Sequence, residues 1–341
     1  MRVNILGAGT WGTALAFALS KNDIDVTVWG RNDSKIRKLD SSRIHSKLNN
    51  FSVPNNIKFT TVFPDLNKGI CILATPTTFL NDFIKLANSK RINKLIIACK
   101  GLYSTDNNNF LMPSQALLNN IPSLKYDKIC ILTGPSHAEE LVKENATALL
   151  AASTNIQLSK NIQSLFSSEF LRVYTLNEND NILNQVKASE IGGAVKNVIS
   201  IASGICDGLR LGDNTKAALI ARGMSEIIDF YKSICKCENP PLDTLYGLSG
   251  LGDLVGTAYS KYSRNRKFGQ FIGEGISIND SLLKTGMVVE GYKTSYAIKY
   301  LSDKFNINMP ICYEIYQILY NHKSPRTSLK HLMDRKLTNE N

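Results

Sequence analysis

Val3-Asn4-Ile5-Leu6-Gly7-Ala8-Gly9-Thr10-Trp11-Gly12-Thr13-Ala14-Leu15 is the stretch on which the fold turns. Val3–Leu6 is a short apolar run that predicts a strand. Thr13–Leu19, with its Ala and Leu, predicts a helix, and Val26–Trp29 is a second β-branched run beyond it. Between strand and helix stand Gly7-x-Gly9-x-x-Gly12. In such a context the first glycine permits a tight turn, the second lets backbone approach a pyrophosphate, and the third lets helix and strand pack closely. The helix N-terminus adds unpaired N–H groups and a dipole worth up to ~2 kcal/mol toward an anion. A glycine turn closing an ordinary βα unit is the plainer alternative.

Working outward, strand-like runs recur at Gly69–Ala74, Leu95–Cys99, Ile129–Thr133, Thr147–Ala152 and Leu171–Leu176, mostly separated by helical or loop segments. That alternation predicts an α/β fold with a mainly parallel sheet wrapped by helices. Beyond it the pattern is helical: Ile182–Asp207, Asn214–Cys235, Leu251–Ser260, Arg266–Ile272, Tyr292–Phe305, Pro310–Tyr320 and Ser328–Arg335. A boundary is therefore expected near Asn177–Asn181, with residues 1–180 an α/β domain and 181–341 an all-helical one. No internal repeat is evident, and low complexity is confined to Asn107–Asn109 and the polar tail.

Composition narrows the class. A chain of 341 residues, 43% hydrophobic and 20% charged, can bury a sizeable core and is neither disordered nor fibrous. No apolar run approaches the ~20 residues of a membrane span, and the first residues do not read as a secretory leader. The expectation is a cytoplasmic protein with reduced thiols and no integral membrane contact. Cys71, Cys99 and Cys130 sit in strand-like runs as small hydrophobes. Cys235-Lys236-Cys237 lacks the spacing of a zinc site, and only four His are present, so no metal is expected. The net charge of +11 is spread along the chain without a block of like charges, which reads as a solvated surface rather than a nucleic-acid stripe.

Several positions carry candidate chemistry. Arg31 follows the second strand where NAD sites usually hold an acid that bonds the ribose; a guanidinium there can face a 2′-phosphate or simply solvent. Three strand ends run into Thr75-Pro76-Thr77, Lys100-Gly101 and Gly134-Pro135-Ser136-His137-Ala138-Glu139, and open α/β sheets bind ligands there. Ser136 is an expected helix N-cap with Glu139 completing Ser-x-x-Glu. In Glu190-Ile191-Gly192-Gly193-Ala194-Val195-Lys196-Asn197, both glycines share a helix face with Lys196. They leave a notch for substrate or for neighbouring backbone, and a buried Lys could donate a proton to a carbonyl under reduction; close helix packing beside a surface Lys is the alternative. Gly247-Leu248-Ser249-Gly250-Leu251-Gly252 ends in Asp253, an N-cap candidate, and Ser263-Arg264-Asn265-Arg266-Lys267 is rich in phosphate donors.

Taken in order, eight motifs resemble bacterial NAD(P)-dependent glycerol-3-phosphate dehydrogenase nearly end to end. They are the glycine loop through Ala14, Cys99-Lys100-Gly101, Gly134-Pro135-Ser136-His137-Ala138 and Gly192-Gly193-Ala194-Val195-Lys196-Asn197. Gly247 through Leu254, Ser263-Arg264-Asn265, Val288-Val289-Glu290-Gly291 and Lys323-Ser324-Pro325-Arg326 complete the series. The resemblance implies a Rossmann domain followed by a helical domain like the C-terminal one of 6-phosphogluconate dehydrogenase. It implies reversible reduction of dihydroxyacetone phosphate to sn-glycerol 3-phosphate with NADPH or NADH, which supplies glycerophospholipid synthesis, and a homodimer. Lys196 is then the catalytic proton donor or acceptor. Lys100, Gly134, Ser136, Asp253, Ser263, Arg264 and Asn265 surround the substrate with it. Gly7, Gly9, Thr10, Trp11, Gly12, Arg31, Lys100, Ala138, Arg264, Val288 and Glu290 hold the cofactor. Two departures stand out: Asn32 and Asp33 follow Arg31 where some relatives have another base, so that Asp33 is expected to repel a 2′-phosphate, and Ser249 replaces a common Ala. The rivals are a related Rossmann-plus-helical dehydrogenase for another hydroxy or keto acid, and a non-catalytic dinucleotide sensor.

Overall fold

A computed structural model describes residues 2–104, 109–179, 181–337 and 339. Asn107 and Asn108 of the asparagine run, and Asp180 at the expected boundary, lie outside the described residues. The main sheet has eight strands: β1 (Arg2–Leu6), β2 (Asp25–Trp29), β3 (Ile57–Thr60), β4 (Ile70–Leu73), β5 (Lys94–Ile97), β6 (Ile129–Thr133), β7 (Thr147–Ala152) and β8 (Leu171–Thr175). Their spatial order is β3-β2-β1-β4-β5-β6-β7-β8, all pairs parallel except β6–β7. The first six strands follow the doubly wound dinucleotide-binding order, with its switch point between β1 and β4.

Sequence explains the layering. Ile70-Cys71-Ile72-Leu73 is buried throughout, as a central parallel strand covered on both faces must be. Val3 and Ile5 face one core with Ala14, Leu15 and Leu19 of α1 (Thr10–Ser20), while Leu6 faces the other with Phe83 and Ile84. The latter two belong to α3 (Leu80–Ala87), which follows α2 (Asp33–Ser42). α6 (Ile156–Phe166) joins α1's layer; α4 (Pro113–Asn120) joins that of α3, and the short α5 (Ala138–Leu141) follows β6. Strand β3 was not expected from the sequence. It is a four-residue edge strand, and only Ile57 in it is fully buried, so little apolar signal marks it.

After β8 all described elements are helical: α7 (Ile182–Leu209), α8 (Gly212–Cys235), α9 (Leu242–Tyr246), α10 (Asp253–Tyr259), α11 (Arg264–Gly273), α12 (Ile278–Thr285), α13 (Glu290–Phe305), α14 (Pro310–Asn321) and α15 (Pro325–Met333). The chain divides into two compact units at places the sequence did not indicate. The first ends at Gly193, inside α7, and takes in Pro241–Asp253; the second comprises Ala194–Pro240 and resumes at Leu254. Within the second unit α7 and α11 cross backbone to backbone. A Cβ on Gly204 would lie 1.8 Å from the Arg266 carbonyl oxygen, and one on Gly269 would lie 2.0 Å from that of Ile201. Gly208 and Gly273 repeat the arrangement one turn on. Among the described residues no helix is long and apolar enough to cross a membrane.

Candidate active site

The glycine loop shows three different reasons for glycine. Gly7 has φ +125°, a conformation that side chains rarely adopt. A Cβ on Gly12 would meet the Gly7 carbonyl oxygen at 1.9 Å, so the first turn of helix α1 has no room for a side chain there. Gly9 is different: its φ is −87°, and a Cβ would meet nothing within 4 Å. Neither the backbone nor the protein around it demands a glycine. That is the signature of a position kept clear for a ligand at the α1 N-terminus, where the first-turn N–H groups have no partners within the helix. Two buried hydroxyls at strand ends, Thr75 Oγ1 after β4 and Thr133 Oγ1 at the end of β6, also lack hydrogen-bond partners. The edge of the sheet thus fits a dinucleotide. Trp11 is fixed by Nε1–H donating to the Ala98 carbonyl at 3.0 Å. His45, missed in the sequence, is buried and hydrogen-bonds the Ala8 backbone; burial holds its pKa below the usual 6.5.

Beyond β2, the Arg31 guanidinium lies over the Phe79 ring at 4.5 Å and pairs with Asp82 of α3. The residues that depart from the family pattern have local work. Asn32 caps α2, its Oδ1 accepting from Lys35 N at 2.9 Å, and Asp33 pairs with Arg37 Nε at 2.7 Å. Asp33, from which repulsion of a 2′-phosphate is expected, is thus already paired one turn along the helix.

A second cluster gathers at the ends of β5 and β6. Lys100 Nζ donates to the Gly134 carbonyl at 2.9 Å and to Asp253 Oδ2 at 2.6 Å, with the Asp253 side chain 2% exposed. Ser136 Oγ donates to the same Gly134 carbonyl at 2.9 Å. The sequence is corrected here: α5 begins at Ala138 with His137 in the cap position, and no side chain caps it. Ser136 lies one residue too early to reach the helix and turns back to the strand end instead. The Asp253 carboxylate, read as a possible cap, is the buried counter-ion of Lys100.

The glycine notch on α7 is filled by protein. A Cβ on Gly192 would meet the Ser249 carbonyl oxygen at 3.0 Å, and one on Gly193 would touch the Lys100 stem at 3.5 Å. Of the two readings offered by the sequence, neighbouring backbone takes the notch, yet Lys196 is no surface lysine. It is 4% exposed, and its Nζ donates to Thr257 Oγ1 of α10 at 2.7 Å. Next to it, Asn197 Oδ1 accepts from Asn265 Nδ2 at 2.9 Å, and Asn265 Oδ1 accepts from Gly291 N at 3.0 Å. These bonds tie α7, the first turn of α11 and the start of α13 together beside Glu290. Ser263 caps α11, its Oγ accepting from Arg266 N at 3.2 Å, which sets Arg264 and Asn265 in the first turn. Val288 stays half exposed in the preceding loop. Thr257 and Asn197 escaped the sequence reading; the helix spacing Asp253–Thr257 and the adjacency of Asn197 to Lys196 were the signals available.

Glu190, one turn ahead of Ala194, holds the N-terminus of α4. It accepts from Ser114 N at 2.9 Å and Ser114 Oγ at 2.5 Å, and burial pushes its carboxyl up to about 7. Among the described residues no three His, Cys, Asp or Glu side chains gather as metal ligands.

A doubly wound sheet with a vacant-sided Gly9, joined to a helical unit carrying a buried lysine, defines a two-part nicotinamide-dinucleotide dehydrogenase. Residues 2–159 match the model for the NAD-dependent glycerol-3-phosphate dehydrogenase N-terminus, and residues 185–330 match that for its C-terminus. The chain belongs to the NAD-dependent glycerol-3-phosphate dehydrogenase family. A glycerol-3-phosphate dehydrogenase (NAD(P)+) of Limosilactobacillus reuteri is 37% identical, over 100% of this chain and 99% of that protein. That of Macrococcus caseolyticus is 35% identical over the whole of both. The solved structure of glycerol-3-phosphate dehydrogenase from Coxiella burnetii superposes with a TM-score of 0.85 at 28% identity, covering 98% of this chain and 99% of that one.

Proposed function

We infer that the protein catalyses reversible NAD(P)H-dependent reduction of dihydroxyacetone phosphate to sn-glycerol 3-phosphate. The observation that carries this reading is Lys196, an ammonium withdrawn from solvent and held by Thr257 within a family of that activity. When bound, the reduced dinucleotide supplies the hydride that adds to the carbonyl carbon. Lys196 donates a hydrogen bond to the carbonyl oxygen, stabilises the charge that develops there and gives up the proton that completes the alcohol. In the reverse direction it takes the proton back. Arg264 and Asn265 anchor the phosphate, so binding energy remote from the reacting carbon orients it. Lys100, Gly134, Ser136, Asp253 and Ser263 complete the substrate's surroundings. Gly7, Gly9 and Gly12, with Thr10, Trp11, Arg31, Lys100, Ala138, Arg264, Val288 and Glu290, hold the dinucleotide, NADPH or NADH. On this reading residues 1–180 form the dinucleotide-binding domain and 181–341 the helical domain that carries Lys196, and each lends residues to the other's ligand.

The enzyme acts in the cytoplasm as a homodimer, without metal, nucleic acid or integral membrane contact, and its product feeds glycerophospholipid synthesis. The test is absorbance loss on mixing the protein with dihydroxyacetone phosphate and either NADPH or NADH. Rapid oxidation supports the reading. Cofactor binding without oxidation moves the substrate to another hydroxy or keto acid, and no binding removes the dinucleotide site.

A further inference from the structure

We propose that Asp82 is a cofactor-selecting residue that disfavours a 2′-phosphorylated dinucleotide by holding the guanidinium of Arg31. The proposal rests on the dinucleotide reading given above.

The sheet order places β2 and β4 on either side of β1. Arg31 belongs to the segment leaving β2. Phe79 and Asp82 belong to the segment leaving β4, in the turn before α3 and in its first turn. The contacts Arg31–Phe79 and Arg31–Asp82 therefore run from one flank of β1 to the other, above the end of the strand that feeds the glycine loop. In a sheet of this order the adenosine end of a dinucleotide occupies that crevice.

A guanidinium offers flat faces and a fixed fork of N–H donors. Here one face lies on the Phe79 ring, at 4.5 Å, and one donor, Nη1–H, is given to Asp82 Oδ2. A 2′-phosphate, carrying two acceptor-rich negative charges, is best met by a donor edge in a bidentate pair. To take the edge that includes Nη1, the phosphate must replace the Asp82 carboxylate; by the other edge it pairs with the guanidinium while Asp82 stays beside it, and either way it lies next to a like charge. A ribose 2′-OH brings no charge and meets neither obstacle. The other nearby carboxylate, Asp33, is paired with Arg37, and Lys35 lies exposed in the same first turn of α2, so neither cancels the effect of Asp82. The Arg31 and Asp82 side chains are 61% and 46% exposed, which limits the ion pair itself to a modest contribution. The repulsion between phosphate and carboxylate adds to it.

The test measures equilibrium binding, independent of turnover. The chain has two tryptophans, Trp11 and Trp29, whose fluorescence reports binding of NADPH, NADH and the fragments 2′,5′-ADP and 5′-AMP. Asp82→Asn is expected to tighten NADPH and 2′,5′-ADP by about five- to twentyfold while NADH and 5′-AMP stay within about twofold. Asp82→Glu is expected to keep the wild-type ratio. In an Arg31→Ala background, Asp82→Asn should no longer act through the guanidinium, leaving less than half of its effect on a logarithmic scale. An unchanged ratio in Asp82→Asn, with wild-type near-ultraviolet dichroism and both cofactors bound, overturns the assignment of Asp82 alone. Failure of the wild-type protein to bind any of the four ligands overturns the dinucleotide reading and this inference together.

Discussion

Lys196 Nζ and Thr257 Oγ1 lie 2.7 Å apart, with Lys196 only 4% exposed. A buried ammonium needs oxygen acceptors, and the threonine supplies one while fixing where the amine points. Lys196→Ala is expected to lower kcat by about 10²–10⁴ with the dinucleotide Kd within about twofold. Thr257→Val should lower kcat roughly tenfold with a smaller change in KM, since it disturbs aim rather than binding. Steady-state rates alongside fluorescence titration separate the two, and near-normal turnover in Lys196→Ala removes it from the mechanism.

Arg264 begins α11, placed by the Ser263 cap. Arg264→Ala should raise the KM for dihydroxyacetone phosphate by about tenfold or more, the scale of a lost charge-assisted pair, with less effect on kcat. Substrate-saturation curves check it; an unchanged KM ends the phosphate-anchor role.

Gly9 and Gly12 should part company on substitution. Gly12→Ala drives a Cβ to within 1.9 Å of a carbonyl oxygen and is expected to destabilise the fold by about 3 kcal/mol. Gly9→Ala meets no protein atom, so urea unfolding should be unchanged within ~0.5 kcal/mol while dinucleotide affinity falls at least about tenfold. Normal affinity in Gly9→Ala would show that the ligand's backbone approach lies elsewhere.

Glu226 of α8 is buried and caps α14, accepting from Ile311 N at 2.6 Å and Cys312 N at 3.0 Å; burial pushes its carboxyl up to about 7. Because the folded pKa exceeds the unfolded one, the folded state holds the extra proton. The stability this contributes is complete below pH ~4.5 and is lost as pH rises toward ~7. Glu226→Gln, which never ionises, should flatten that fall in melting temperature between pH 5 and 7. Glu226→Ala should cost about 2 kcal/mol or more near pH 5 by leaving two N–H groups unpaired, and less as pH rises toward 7. An identical pH slope in wild type and Glu226→Gln refutes the assignment.

Much of this was legible because the signals were local. The glycine spacing, the buried central strands and the long amphipathic helices each declare themselves within a dozen residues. What stayed hidden depended on distant partners or on short elements. β3 is an edge strand with one buried residue, and α12 is polar, though Ser277-x-x-Asp280 and Gly286 carried the capping signals of its two ends. Ser136 reads as a cap, but its partner is the Gly134 carbonyl, which becomes available only after the chain turns. Asp253 reads as a cap because the partner of its carboxylate, Lys100, lies 153 residues away in the chain. The unit boundary inside α7 has no sequence mark, since the helix continues unbroken through it.

The excursion of Pro241–Asp253 into the first unit has a consequence for synthesis. Lys100 and its buried counter-ion are 153 residues apart in the chain. At ribosomal rates of about 5–20 residues per second, the lysine waits on the order of ten seconds or more for Asp253 to be made. In the later part of that interval Gly192, once made, lacks the Ser249–Gly250 backbone that packs on it. The dinucleotide-binding half therefore cannot mature vectorially from the N-terminus. It is finished by a segment translated after the whole of α8, so a nascent chain arrested within α8 would display an uncapped strand-end cluster, a ready target for chaperones and proteases.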